Sequence, residues 1–121
     1  MHRYQSLAFS AGDIIIREGD EANLVYTLKQ GHAAAYQDGI KVGEILPGEI
    51  FGALAAFCNT PRNATVRAST LCRVEALGKE HFTDLAREQP ELCVKLIQDM
   101  ARLIGDLNES IRLLSHAEAT D

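Results

Sequence analysis

From Phe9 to Leu77, turn-forming residues recur at short, fairly even intervals: Gly19-Asp20, Gly31, Asp38-Gly39, Pro47-Gly48 and the stretch Asn59 to Pro61. That rhythm predicts many short strands. Between the turns, Leu24, Tyr26 and Leu28 alternate with neighbours of mixed polarity, and Cys72, Val74 and Ala76 alternate with charged Arg73 and Glu75. Such a period of two marks strands buried on one face only. Asp38-Gly39, between AAAYQ and IKVGEIL, predicts a type I′ hairpin, because both turn positions need positive φ. The expected fold class is therefore mainly β, an antiparallel sandwich or jelly roll over residues 8–77.

After Gly78 the periodicity changes. KEHFTDLAREQ puts Phe82, Leu85 and Ala86 on one helical face, which predicts a short helix over 78–89. Pro90 is tolerated in a first helical turn, and Glu91 suits the positive end of the dipole, so a second helix is expected over 90–117. At about 1.5 Å per residue it is roughly 40 Å long, more than a small barrel covers. Ile97, Met100, Ile104, Leu107, Ile111 and Leu114 are spaced 3, 4, 3, 4, 3, a heptad seam with Ile at each a position and Met or Leu at d. That pattern favours a parallel two-stranded coiled coil, and so a homodimer through this helix, with Leu96 and Leu103 beside the seam turned to the β body. The alternative is one wide core face within a single chain. Gly105 costs such a helix up to about 1 kcal/mol against Ala, so tertiary contacts are expected there.

With 121 residues, 46% apolar and 24% charged, the sequence has the size and composition of one globular domain, expected over 1–121. Its apolar runs fall far short of the roughly 20 residues that cross a bilayer, and MHRYQSLAF lacks a secretory core. Cys58, Cys72 and Cys93 form no paired motif. A cytoplasmic protein without disulfides, unattached to membranes, is the expectation. The formal net charge of -5, with no basic stripe, opposes binding of nucleic acid by this fragment. His2, His32, His81 and His116 are scattered, so no metal site is expected, and a cupin-like enzyme lacks its ligands.

The chemistry gathers in EIFGALAAFCNTPRNATV, residues 49–66. A turn at Gly52 followed by ALAAF would present the first N–H groups of a short helix, whose positive end suits an anion. Arg62 follows at the distance a turn can fold back, adding a cation whose planar fork matches phosphate oxygens. The competing reading has Arg62 paired with Glu44 or Glu49 and merely holding the turn.

Over most of its length the chain resembles the cyclic-nucleotide-binding domains of catabolite-activator-type regulators and protein kinase A regulatory subunits. The likeness runs through FSAGDIIIREGDEANLVYTLKQG, then ILPGEIFGALAAFCNTPRNATVRA, then the closing helices. It implies a jelly roll of the double-stranded β-helix type and a non-catalytic sensor. It also implies a phosphate-binding cassette in which the backbone at Gly52, Leu54 and Ala55 faces the ligand, Ala53 belongs to the same ligand-binding set, Arg62 binds the cyclic phosphate, and Asn63 and Ala64 line the same wall. Leu107 and Asn108 on the last helix would sit near the base. The implied ligand is cyclic AMP or cyclic GMP, with no other cofactor. One position departs from the pattern: the family usually carries Glu after Phe-Gly, to accept the ribose 2′-hydroxyl, and this chain has Ala53. Loss of a charged acceptor costs about 1.5 to 3 kcal/mol, or roughly one to two decades of affinity. Either a differently shaped anion replaces the nucleotide, or the pocket is degenerate and the domain serves dimerisation or docking.

Overall fold

The structure, a computed structural model, describes residues 4–119, and in the last helix it describes side chains only as far as residue 105. Its strands are β1 (Tyr4–Phe9), β2 (Ile14–Ile16), β3 (Leu24–Gln30), β4 (Ala33–Gln37), β5 (Ile40–Ile45), β6 (Ile50–Phe51), β7 (Thr65–Ala68) and β8 (Cys72–Gly78). Helix α1 (Ala53–Cys58) lies between β6 and β7, and α2 (Lys79–Glu88) and α3 (Glu91–Ala119) follow β8. The strands form two four-stranded sheets, ordered β1-β8-β3-β6 and β2-β7-β4-β5. All pairings are antiparallel, and partners distant in sequence meet, as in Tyr4↔Leu77 and Ile14↔Arg67. This is a jelly roll with C-terminal helices.

Local sequence accounts for the hairpin between β4 and β5. Gln37 pairs with Ile40, and the two intervening residues take φ of 50° at Asp38 and 80° at Gly39. Those are the left-handed values that a type I′ turn demands, supplied by the residue types that tolerate them. The β body begins earlier than residue 8, at Tyr4. Most of β1 is exposed and is held by its ladder to β8, so it carries little apolar alternation to read.

The main core fills the space between the sheets, with Ile16, Leu28, Phe51, Val66, Cys72 and Val74 at its centre. Two further members, Ala33 and Ala35, come from β4, whose small side chains leave volume that Val or Ile would occupy. A second core forms on the outer face of the first sheet, where α1 and α2 cover Val25 and Leu77 with Ala53, Ala56 and Phe82. The half-buried expectation for β3 and β8 therefore holds where Arg73 is exposed and fails at Val25 and Leu77, which helices shield. Burying a side chain the size of Phe82 contributes about 1.5 to 3 kcal/mol. It fixes α2, and with it the start of α3, against the cassette. Leu92 and Cys93 donate backbone hydrogen bonds to the carbonyls of Gln89 and Pro90, closing the first turn of α3 beside the proline.

Candidate functional site

A cavity of about 170 Å³ opens between the second sheet, the segment Gly52 to Ala64, and α3. Its sheet wall is apolar, with Ile16, Ala35, Val42, Ile45 and Val66. Ala35 pairs across the sheet with Gly43, so the smallest rung of the ladder lies under the cavity. Met100, Leu103 and Ile104 of α3 form the opposite wall. Among the described lining residues Arg62 carries the one charge, and Gln37 and Asn63 are the uncharged polar groups.

Arg62 is 6% exposed, yet no described carboxylate pairs with it. Its Nη1 donates to the carbonyl of Gly52 at 2.5 Å and its Nη2 to the carbonyl of Leu24 at 2.7 Å. The guanidinium lies 5.7 Å from the Tyr26 ring centre, and that ring stacks on Phe51 at 5.2 Å. Burial lowers the pKa of Arg62, with Tyr26 acting in the opposite sense; burial raises that of Tyr26, and the Arg62 charge offsets part of the rise. The main chain fixes the residue as well: its N–H donates to Asp20 O, and its carbonyl accepts from Gly19 N–H, both at 2.8 Å. The alternative pairing with Glu44 or Glu49 is not what the structure contains. Glu44 binds Lys41 at 2.6 Å, and Glu49 binds Arg102.

Gly52 is where the chain turns into α1. Its φ is 79°, and it precedes the helix with no side-chain cap. A Cβ at that position would stand 2.9 Å from Arg62 Nη1 and 3.1 Å from both Ile16 and Tyr26. Glycine is thus required twice, for the left-handed backbone and for the close approach of the guanidinium. At the other end of α1, Lys79 Nζ donates to the carbonyl of Ala56 at 3.2 Å and to Asn59 Oδ1 at 2.5 Å, placing a cation on the negative end of that helix.

Of the residues expected to face a ligand, Gly52, Leu54, Ala55, Arg62, Asn63 and Ala64 meet at this one cavity. Ala53 does not join them. It is 3% exposed and packs in the second core with Ala56, three residues on and on the same helical face. The side chains of Leu107 and Asn108 lie outside the described residues, as do those of Ile111 and Leu114. Sequence reasoning missed Gln37, Val42, Gly43 and the α3 wall. Met100 and Ile104 belonged to the heptad seam assigned to a second chain, whereas here they border the cavity; Leu103 packs on the main core and Leu96 on the second, as expected of them.

A jelly roll with a buried guanidinium, which no described carboxylate pairs, at one end of an apolar cavity, and a helix closing the other side, has the form of a ligand-binding domain. Residues 6–89 match the cyclic nucleotide-binding domain family, and the chain belongs to it. Among curated proteins it is 39% identical over 82 residues to the cAMP-dependent protein kinase regulatory subunit of Emericella nidulans, covering 66% of this chain and 20% of that one. It is 37% identical over 94 residues to the same subunit of Schizosaccharomyces pombe, covering 71% and 23%. The chain thus spans about a fifth of the length of these relatives. Among solved structures, a cAMP-bound PfPKA-R fragment superposes with a TM-score of 0.74 at 32% identity, over 88% of this chain and 36% of that one. The c-di-GMP responsive regulator CLP of Xanthomonas campestris shares the fold, with a TM-score of 0.81 at 17% identity over 93% and 59%. Among the described residues no helix is long and apolar enough to cross a membrane.

Proposed function

We propose that this chain is a non-catalytic, cytoplasmic sensor domain that binds cyclic AMP, cyclic GMP or a related phosphate-bearing ligand and passes the binding event to α3. One observation carries the reading: Arg62 is 6% exposed, borders the cavity, and has only carbonyls and an aromatic ring as described partners. A buried charge without a counter-charge costs several kcal/mol, and an anion seated beside it removes that cost. The phosphate would sit against Arg62 and the turn at Gly52, where α1 begins uncapped, and the apolar body of the ligand between Val42, Ile45 and Leu103. The cAMP-bound PfPKA-R fragment supports the same ligand class.

Transmission would run through α3, because that helix forms one wall of the cavity. Binding shifts the helix only if the ligand favours one helix arrangement over another. Pairing of α3 with its copy in a second chain is supported by Ile97, a member of the heptad seam that is 65% exposed and does not border the cavity. A second reading, a domain that has lost its ligand and serves as a dimerisation or docking module, is favoured by Ala53. It brings no acceptor for a sugar hydroxyl and is buried away from the cavity.

Thermal unfolding separates the two. At about 100 times the dissociation constant a true ligand adds roughly 2.7 kcal/mol, about 10 °C in Tm for a domain this size. A melt unmoved by cyclic AMP, cyclic GMP and cyclic dinucleotides rules out the sensor reading.

A further inference from the structure

One face of α3 closes the cavity with Met100, Leu103 and Ile104. The adjoining face carries two charged side chains that reach the turn between β5 and β6. Asp99, 9% exposed, accepts a hydrogen bond from the backbone N–H of Ile50 at 2.9 Å and another from Lys95 Nζ at 3.0 Å. One helical turn on, Arg102 donates to both carboxylate oxygens of Glu49 and to the carbonyl of Glu44. Glu49 is fixed in its turn: its Oε1 accepts from Leu46 N–H at 2.7 Å, and its own N–H donates to Leu46 O at 3.1 Å. The turn Leu46–Glu49 is therefore a shaped socket for the helix.

The apolar grip of α3 on the body is confined to a few side chains. Leu103 reaches the main core and Leu92 and Leu96 the second, while Val94, Ile97 and Ile104 are each more than half exposed. Departure of the helix would exchange the hydrogen bond from Ile50 N–H to Asp99 for one to water, at a net cost of about 1.5 to 3 kcal/mol for a charged acceptor. It would also separate Arg102 from a Glu49 side chain that is only 14% exposed. Socket and phosphate end are contiguous in the chain, since Glu49 and Ile50 lead through Phe51 to Gly52.

We propose that Asp99 and Arg102 are positioning residues of the cavity: Arg102 by gripping Glu49 of the turn Leu46–Glu49, and Asp99 by holding Ile50 at the start of β6, latch α3 across it, and the opening of this latch limits how fast a ligand leaves. The latch itself follows from the contacts described; its effect on ligand residence rests on the nucleotide-binding reading. Glu49 is the hinge of the arrangement, because one carboxylate serves both the turn and the helix.

Two measurements on the whole chain test the two halves separately. Hydrogen exchange of the ligand-free protein, wild type against Asp99→Ala and Arg102→Ala, is expected to accelerate about tenfold at the Ile50 amide and over the described part of α3, with β8 amides unchanged. Arg102→Lys, which keeps a cation for Glu49 without the fork that also reaches the Glu44 carbonyl, is expected to exchange at a rate between those of the wild type and Arg102→Ala, a rescue that loss of packing alone would not give. In the second measurement, a fluorescent cyclic AMP analogue is chased with unlabelled cyclic AMP. Its dissociation is expected to quicken about tenfold in Arg102→Ala, with association altered less than about threefold. Unchanged exchange at Ile50, or equal acceleration at β8, overturns the latch. Faster exchange with an unchanged dissociation rate overturns its role in ligand residence. A wild type that binds no cyclic nucleotide overturns the sensor reading, while the exchange data still judge the latch.

Discussion

Replacing Arg62 by Ala removes the described cation of the cavity, and the structure allows the consequences for binding and for folding to be worked out separately. A guanidinium has five N–H donors, and the described contacts engage it at Nη1 and Nη2, leaving the rest of the fork for an anion. Each charge-assisted bond to a phosphate contributes about 1.5 to 3 kcal/mol, so loss of two weakens binding by about two to four decades. Folding responds differently. The bonds to Gly52 O and Leu24 O disappear, at about 1 kcal/mol each, but a desolvated charge with no described carboxylate partner disappears as well. The ligand-free stability is expected to change by less than about 2 kcal/mol, far less than the binding energy lost. Arg62→Lys keeps the charge without the planar fork, and its affinity should fall between those of the wild type and Arg62→Ala. Isothermal titration with cyclic AMP gives the first quantity and urea unfolding the second. Wild-type affinity in Arg62→Ala refutes the reasoning, and so does a ligand-free chain that no longer folds, since that would make Arg62 a structural residue first.

Gly52→Ala forces a side chain into left-handed backbone and to within 2.9 Å of Arg62, so a loss of about 1 to 3 kcal/mol is expected together with weakened binding. A urea midpoint equal to that of the wild type would contradict it. With Ala53 in the second core, no acceptor from that position meets a sugar hydroxyl, and cyclic AMP and its 2′-deoxy analogue should bind within about threefold of one another. A preference of about tenfold or more for the ribose form in competition binding would show that another group reads the hydroxyl.

The hairpin at Asp38-Gly39, the strand rhythm and the cassette helix after Gly52 were legible because each depends on contacts close in sequence: turn φ values, alternation, a glycine before helix formers. The convergence of Gly52 and Arg62 was legible for a related reason, since the two lie ten residues apart around a single turn and share one chemical preference. The second core was not. Val25 and Leu77 read as the outward side of half-buried strands, and only the docking of α1 and α2 shields them. Likewise Ala53 was grouped with its neighbours in the cassette, yet helical geometry turns it with Ala56 toward that core while Leu54 borders the cavity.

The sequence by itself determined the class of the fold and the identity of the cation, because strand period, turn residues and a guanidinium beside a glycine turn are local properties that survive any packing. Only the tertiary structure decided that Arg62 lacks a described carboxylate, that Met100 and Ile104 border a cavity in their own chain, and that Asp99 and Arg102 bind Ile50 and Glu49, some fifty residues upstream. Those outcomes depend on which side of α3 meets the β body. A heptad pattern identifies an apolar stripe without specifying its partner, and a charged residue in a sequence does not reveal which distant main-chain group its burial will bring within reach.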